Sequence, residues 1–157
     1  MMLEESIIRR PDQTIISYDD FKSEIESDKN VEIKLAVGSD SQVLLSHISF
    51  VTTICIHYPG RGGKFFYIKE RQNKKAFPTM HLRLMNEVFL SLEAANDLNK
   101  IISQKAEIHI DIGGEDKSSK TAKFSKQFIG MVSSSGFQCK IKPESWASYV
   151  ADRFTKS

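Results

Sequence analysis

The amino-acid sequence predicts an α/β fold in which helices pack on a five-stranded mixed sheet. The chain of 157 residues has the length of one domain. Five segments have the alternation or β-branched composition of strands, and helical spacing separates the later ones. Short connections make the first three strands antiparallel, whereas helical crossovers require the last two to run parallel to their neighbours.

The N-terminal half is predicted to begin with one helix and two strands. Ser17 is a favourable N-cap for a short helix over residues 18–28. Residues 31–37 alternate between apolar and polar side chains and continue into Ser39-Asp40-Ser41-Gln42, which predicts a central strand with a polar end. The next segment, residues 47–58, is rich in β-branched and aromatic residues and is predicted as the second strand.

The remaining elements follow from turn chemistry and periodicity. Residues 59–63 form a glycine-rich turn, so residues 64–70 complete a hairpin as the third strand. Residues 79–103 have the spacing of a long helix, with Thr79 as its candidate N-cap. The last elements are predicted as a strand over residues 106–112, a helix over 118–133, a strand over 137–141 and a helix over 145–154.

Composition excludes several classes of protein. Hydrophobic residues make up 40% and charged residues 27%, which is typical of a globular protein and not of a disordered one. No window approaches the roughly 18 apolar residues that cross a bilayer. The start, Met1-Met2-Leu3-Glu4-Glu5, is acidic where an export signal is basic, so we expect a cytoplasmic protein. We expect a single domain over residues 1–157, in which residues 1–30 form a helical N-terminal extension.

The two cysteines, Cys55 and Cys139, lie in apolar segments without a partner spacing. We therefore expect both to be reduced residues that pack in the fold.

The charge distribution makes a polyanionic partner plausible, although a solvated mixed surface is an alternative interpretation. Residues 117–143 contain six lysines and no acid. Lys120, Lys123 and Lys126 recur at three-residue intervals and are predicted to form a basic ridge on one helix. Together with Lys117 they could neutralise phosphates. Residues 65–67 are aromatic among basic neighbours and could stack on bases, but alternation into the sheet core is the favoured interpretation.

Two carboxylates are expected side by side at one end of the sheet. The strand after a long crossover commonly lies beside the first strand, which would place Asp40 and Asp111 near the same end of adjacent parallel strands. Neighbouring carboxylates repel each other unless a cation joins them. This arrangement is therefore the first indication of a metal site.

The helices offer further acids. In the long helix, Glu87 lies on an apolar stripe and requires a partner, whereas Glu93 lies on a face that is predicted to be mostly solvated. Asp152 in the last helix could supply a fourth oxygen ligand, or it could pair with Arg153 or a nearby lysine. His109 is expected to be a hydrogen-bonded core residue, and His81 is a candidate donor near the acids.

These motifs resemble a known family. The segments Gly38-Ser39-Asp40-Ser41-Gln42, Glu87-Val88, His109-Ile110-Asp111-Ile112-Gly113 and Ala151-Asp152 are similar to those of the YkuK-type family of predicted ribonuclease H-like proteins. The resemblance covers residues 31–154. It implies the ribonuclease H-like fold and a metal-dependent nuclease.

The resemblance also implies roles for the acids. It implies phosphodiester hydrolysis with two ions, Mg²⁺ or Mn²⁺, held roughly 4 Å apart. By this analogy Asp40 bridges both ions, Glu87 and Asp111 complete one, and Asp152 helps to hold the other. The implied partner is RNA, an RNA/DNA hybrid or structured DNA.

Two other functions stay open at this point. A non-catalytic module that binds nucleic acid or protein could keep the same fold, because a fold does not determine activity. A nucleotide-handling phosphotransferase is disfavoured, since the sequence has no phosphate-binding loop.

Overall fold

Three long strands form the centre of the molecule, and the middle one runs antiparallel to both of its neighbours. The computed structural model describes residues 3–113 and 122–156. Its strands and helices are β1 (Ile8–Arg9), β2 (Ile15–Ile16), α1 (Tyr18–Ser27), β3 (Lys34–Val43), β4 (Ile48–Tyr58), β5 (Gly62–Gln72), α2 (Met80–Asn99), β6 (Glu107–His109), α3 (Ser125–Ser134), β7 (Gln138–Lys140) and α4 (Trp146–Asp152). Short 3-10 turns cover Leu3–Glu5, Lys74–Ala76 and Ala122–Phe124.

The sheet is larger than the sequence predicts. Its order is β2-β1-β5-β4-β3-β6-β7, so the prediction of five strands is wrong, although the five predicted strands are present. The additional strands, β1 and β2, form a hairpin that joins the sheet where Arg9 pairs with Tyr67 of β5. Each has only two residues, which is too short for an alternating pattern to reveal. Residues 1–30 are therefore not purely helical.

Strand directions agree with the prediction. β3, β4 and β5 pair antiparallel, while β6 runs parallel to β3 and β7 runs parallel to β6. The parallel pairing places Gly38 of β3 opposite His109 of β6. Backbone hydrogen bonds continue to join these two segments beyond β6, from Ile110 N to Lys140 O and from Lys142 N to Ile112 O.

Several element boundaries differ from the predicted ones. β3 begins later than predicted and continues to Val43, so Asp40 lies within the polar end of the strand, as expected. α2 is capped by Thr79 as predicted but ends at Asn99, four residues short of the expected end. α3 begins at Ser125, after a 3-10 turn, and the predicted residues 118–121 of that helix lie outside the described residues.

The two faces of the sheet are covered by different helices. The main core contains apolar residues of α1, α2 and α3 against one face of β3, β4 and β5. α4 covers the other face, where Ala147 packs on Ala36 and Cys55 and Ala151 packs on Val51 and Tyr67. Because side chains alternate along a strand, Gly38 and Asp40 face α4, while Ser39 and Ser41 face α2.

Two contacts hold α4 directly on the sheet. A Cβ atom on Gly38 would lie 2.6 Å from the backbone nitrogen of Ser148, so the helix backbone packs against this glycine. The Thr53 hydroxyl donates to the carbonyl of Ala147 at 2.8 Å. Both cysteines are free, with Cys55 buried and Cys139 partly buried, as expected. Within the described ranges, no helix has the length and apolar character that a membrane crossing requires.

Candidate active site

Asp40 and Asp111 lie at the same end of neighbouring parallel strands. Each lies two residues beyond the pair formed by Gly38 and His109, so both carboxyl groups are on the α4 side of the sheet. Burial and the charges of Asp111 and Asp152 raise the pKa of Asp40 to about 8. The backbone N–H of Ser41 donates to Asp40 Oδ1 at 2.9 Å and opposes this increase.

Glu87 approaches the same strand end from α2. Its carboxyl group is buried, and the Ser41 hydroxyl donates to Oε2 at 2.7 Å. The other oxygen, Oε1, is buried without a hydrogen-bond partner among the described residues. Burial and the charges of Asp40 and Asp111 raise the pKa of Glu87 well above its usual range, while Ser41 and Arg83 partly offset this effect.

The two glutamates of α2 differ as predicted, but the face around Glu93 is less solvated than expected. Glu87 is buried and Glu93 is exposed. On the Glu93 side, however, Leu90 packs on Ile48 and Phe50. Asp97 on that side is buried as well, because the N-terminal segment covers it and Leu3 N donates to its carboxylate at 2.8 Å.

Asp152 is the last residue of α4 and is exposed to solvent. Its carboxyl group is close enough to Asp40 to raise the pKa of that residue. The ion pairs of the described residues do not include one from Asp152 to Arg153 or to a lysine. Asp111 and Asp152 thus act electrostatically on Asp40, and Asp40 and Asp111 act on Glu87, although Glu87 lies on the α2 side of the sheet.

A lysine occupies part of this acidic centre. Lys142 Nζ lies 3.2 Å from Asp111 Oδ1. This contact is an ion pair without hydrogen-bond alignment, since Oδ1 has no hydrogen-bond partner among the described residues. Over residues 3–113 and 122–156, no group of three or more Asp, Glu, His or Cys side chains is arranged to hold a metal ion as the side chains stand.

The two histidines have structural contacts. Buried His109 accepts a hydrogen bond from Ala147 N at its Nδ1 atom, 3.0 Å away, and Trp146 packs edge-on against its ring. Burial lowers the pKa of His109 to about 4, so the ring is neutral and carries its proton on Nε2. The expectation of a core histidine is therefore confirmed. His81 contacts α3 instead of the acids, through Gln127 Oε1 at 2.7 Å and a stacked Phe128 ring.

The predicted basic ridge is only partly described. Lys123 and Lys126 are exposed, one in the 3-10 turn and the other in the first turn of α3. Lys117 and Lys120 lie outside the described residues. The aromatic residues Phe66 and Tyr67 are buried, which confirms that this strip packs into the sheet.

Sequence patterns did not identify Ser41 or Lys142 as part of the site. Ser41 is adjacent to Asp40 but faces the opposite side of the sheet, where it reaches Glu87. Lys142 is brought to Asp111 by the hydrogen bond from its backbone to Ile112, which joins segments far apart in the sequence. No local spacing indicates that second contact.

Comparison with known proteins places the chain in a family. The family model described as "Ribonuclease H-like" matches residues 17–156. A protein of Bacillus subtilis (strain 168), named "Uncharacterized protein YkuK", is 26% identical over 152 residues, and the alignment covers 86% of each chain. No solved structure matches the chain. The family match covers most of the chain and includes all four acids, so this protein belongs to the ribonuclease H-like family.

Proposed function

We propose that this protein is a metal-dependent nuclease that hydrolyses phosphodiester bonds in nucleic acid. The observation that carries the proposal is a chain of interactions among buried or neighbouring carboxylates: Asp111 and Asp152 act on Asp40, and Asp40 and Asp111 act on Glu87. These acids come from β3, α2, α4 and the segment after β6. Concentrated negative charge of this kind is unfavourable for folding, which is a common feature of sites selected for chemistry and not for stability.

The chemistry of these residues fits divalent ions. Carboxylate oxygens are the ligands that Mg²⁺ and Mn²⁺ prefer. Glu87 Oε1 and Asp111 Oδ1 are buried acceptors without hydrogen-bond partners among the described residues, so each has a lone pair available for an ion. When bound, two such ions stabilise negative charge at a phosphate and lower the pKa of an attacking water.

The protein's own residues would prepare the site in distinct ways. Asp40, Glu87, Asp111 and Asp152 would hold the ions, and the Ser41 hydroxyl would fix the orientation of Glu87. Lys142 now supplies the positive charge beside Asp111. Its ammonium must move away, because a lysine and a divalent ion cannot share the same carboxylate oxygen at close range.

The substrate would be bound by basic side chains on the surface. Exposed Lys123 and Lys126 could contact phosphates, and we include Lys117 and Lys120 in the proposed nucleic-acid surface on the basis of their spacing. RNA, RNA/DNA hybrid and structured DNA are the substrates to compare.

The decisive experiment is a cleavage assay on these three substrates with Mg²⁺ or Mn²⁺. Asp40→Asn and Glu87→Gln should each lower the rate at least about 100-fold, since loss of metal-assisted stabilisation costs several kcal/mol. Glu93→Gln is the matched control, because it removes an exposed acid from the same helix. Its rate should stay within twofold of wild type.

Equal inactivity of wild type and Asp40→Asn on every substrate would contradict the proposal. Calorimetry would then distinguish the alternative, since a non-catalytic module need not bind Mn²⁺ at the acids. Equal activity of wild type and Asp40→Asn would also contradict it, because the cleavage would then come from elsewhere.

A further inference from the structure

A strongly basic cavity lies beside the acidic centre, on the same face of the sheet. It has a volume of about 380 Å³. Its lining contains five cationic side chains and, among the described residues, no carboxylate. The lining residues are Arg9, Gln13, Tyr67, Lys69, Arg71, Arg153, Phe154 and Lys156.

The strands explain why these charges gather. Tyr67, Lys69 and Arg71 are alternate residues of β5, so their side chains share one face. Arg9 of β1 pairs directly with Tyr67 and faces the same way. The short N-terminal hairpin, which sequence periodicity does not reveal, thus supplies one wall of the cavity.

The register connects this cavity to the acids. Asp40 pairs with Val51, and Val51 pairs with Lys69. Directly opposite residues of antiparallel strands face the same side, so Asp40 and Lys69 both face α4. They are separated by two strand spacings, about 10 Å. Arg153 directly follows Asp152 at the end of α4 and also lines the cavity.

Two stacked aromatic rings form the floor of the cavity. The rings of Tyr67 and Phe154 stack with centroids 4.1 Å apart and planes 15° apart. Tyr67 is buried, and Phe154 anchors the segment after α4 to β5. Crowding among the cations is evident at Lys69, because burial, Arg71 and Arg9 lower its pKa. Such a group of positive charges is stabilised by an anion.

We propose that this cavity binds the phosphodiester backbone of a nucleic acid at a position next to the phosphate that is cleaved. The inference rests on the proposed function and adds a substrate-binding site to it. Arginine is suited to phosphate because its planar guanidinium can donate two hydrogen bonds to neighbouring oxygens. Contacts of this kind position a strand without reading its sequence.

The test measures binding and not cleavage. A fluorescein-labelled RNA/DNA hybrid is titrated with the protein in Ca²⁺, over a salt series between about 50 and 200 mM. Arg71→Gln/Arg153→Gln should weaken binding at least about tenfold at the low-salt end and reduce the salt slope by about 2, or about 1 for each phosphate contact. Both side chains are exposed, so the substitutions leave the core intact.

The matched control is Lys22→Gln/Lys29→Gln. It removes the same formal charge from exposed positions on and just after α1, which packs against the opposite face of the sheet. Binding by the control should change less than twofold. The single variants Arg71→Gln and Lys156→Gln should each reduce the salt slope by about 1.

Three outcomes would overturn the inference: no binding by wild type, equal loss in the cavity and control variants, or equal binding of a polyglutamate competitor. The last result would indicate an acidic protein as the partner. Binding that depends on the cavity without any cleavage supports the inference while contradicting the nuclease proposal. Cleavage by wild type, together with equal binding by the cavity and control variants, supports the nuclease proposal while contradicting this inference.

Discussion

At the scale of single residues, the environment of each carboxyl group separates the candidate site from the rest of the acids. Glu24 forms ion pairs with Arg10 and Lys64, and these lower its pKa. Asp40 and Glu87 show the reverse behaviour, because burial and neighbouring carboxylates raise the pKa of both. Paired acids stabilise the fold when ionised, whereas these two acids destabilise it.

Asp40 therefore has a predictable effect on the metal-free protein. Its pKa of about 8 in the folded state is above the ordinary value of 3.8, so the folded state binds more protons between these values. Stability from this residue is lost as the pH rises from about 4 to about 8. Asp40→Asn removes the cost and should stabilise the protein at pH 8 by roughly 1–3 kcal/mol, with a smaller effect at pH 5.

Urea denaturation in EDTA at the two pH values measures this difference. Glu26→Gln, which removes an exposed acid from α1, should change the free energy of unfolding by less than about 0.5 kcal/mol. A variant Asp40→Asn that is no more stable than wild type at pH 8 would show that the carboxylates do not repel each other in solution.

At the scale of elements, the position of α4 determines whether Asp152 reaches Asp40. The helix is short and has no side-chain cap, so its place depends on contacts with the sheet. Gly38 allows its backbone to approach β3, Thr53 bonds Ala147 O, and His109 bonds Ala147 N. These contacts lie one turn before Asp152 and place the helix end over the acids.

Gly38→Ala tests this dependence. The new methyl group would lie within 2.6 Å of the helix backbone, so α4 must shift. We expect a loss of about 1–3 kcal/mol in the free energy of unfolding, together with a loss of cleavage. Gly130→Ala is the control, because it lies within α3 with open space around its Cβ position and should stabilise the protein by about 0.5–1 kcal/mol.

Thermal or urea unfolding of both variants checks the prediction. If Gly38→Ala were as stable as wild type, the backbone of α4 would not be in close contact with β3.

At the scale of the whole molecule, two buried groups titrate in opposite directions. Burial lowers the pKa of His109 to about 4, below its ordinary value of 6.5. Its contribution to stability is complete above pH 6.5 and is lost as the pH falls toward 4. Asp40 loses stability as the pH rises, so the two effects nearly cancel between about pH 4 and 6.5, and the stability of the metal-free protein should fall as the pH rises further toward 8.

His109→Asn separates the two effects. The asparagine oxygen can still accept from Ala147 N, but the side chain does not titrate. We expect a lower Tm at pH 7, because the contact with Trp146 is reduced, and a Tm that increases relative to that of wild type as the pH falls from 6.5 to 5, because the loss from His109 is removed. Calorimetry in EDTA measures both. An unchanged slope in this pH range would assign the acid sensitivity to other groups.

The sequence alone was sufficient for features that depend on local periodicity. Alternation identified β3 and β6, β-branched and aromatic composition with a glycine-rich turn identified β4 and β5, and the position of Thr79 identified the start of α2. The apolar stripe around Glu87 also distinguished this residue from Glu93. Each of these signals arises from residues within a few positions of one another, where helix and strand geometry dictate which side chains share a face.

Only the tertiary structure decided which distant residues meet. The pairing of β1 with β5, the ion pair of Lys142 with Asp111 and the cavity between β5 and the segment after α4 join residues that no local pattern connects. Such contacts depend on sheet register and on the close approach of α4 at Gly38. Periodicity determines which way a side chain faces within its own element, but the neighbour it meets is determined by the packing of that element against the others.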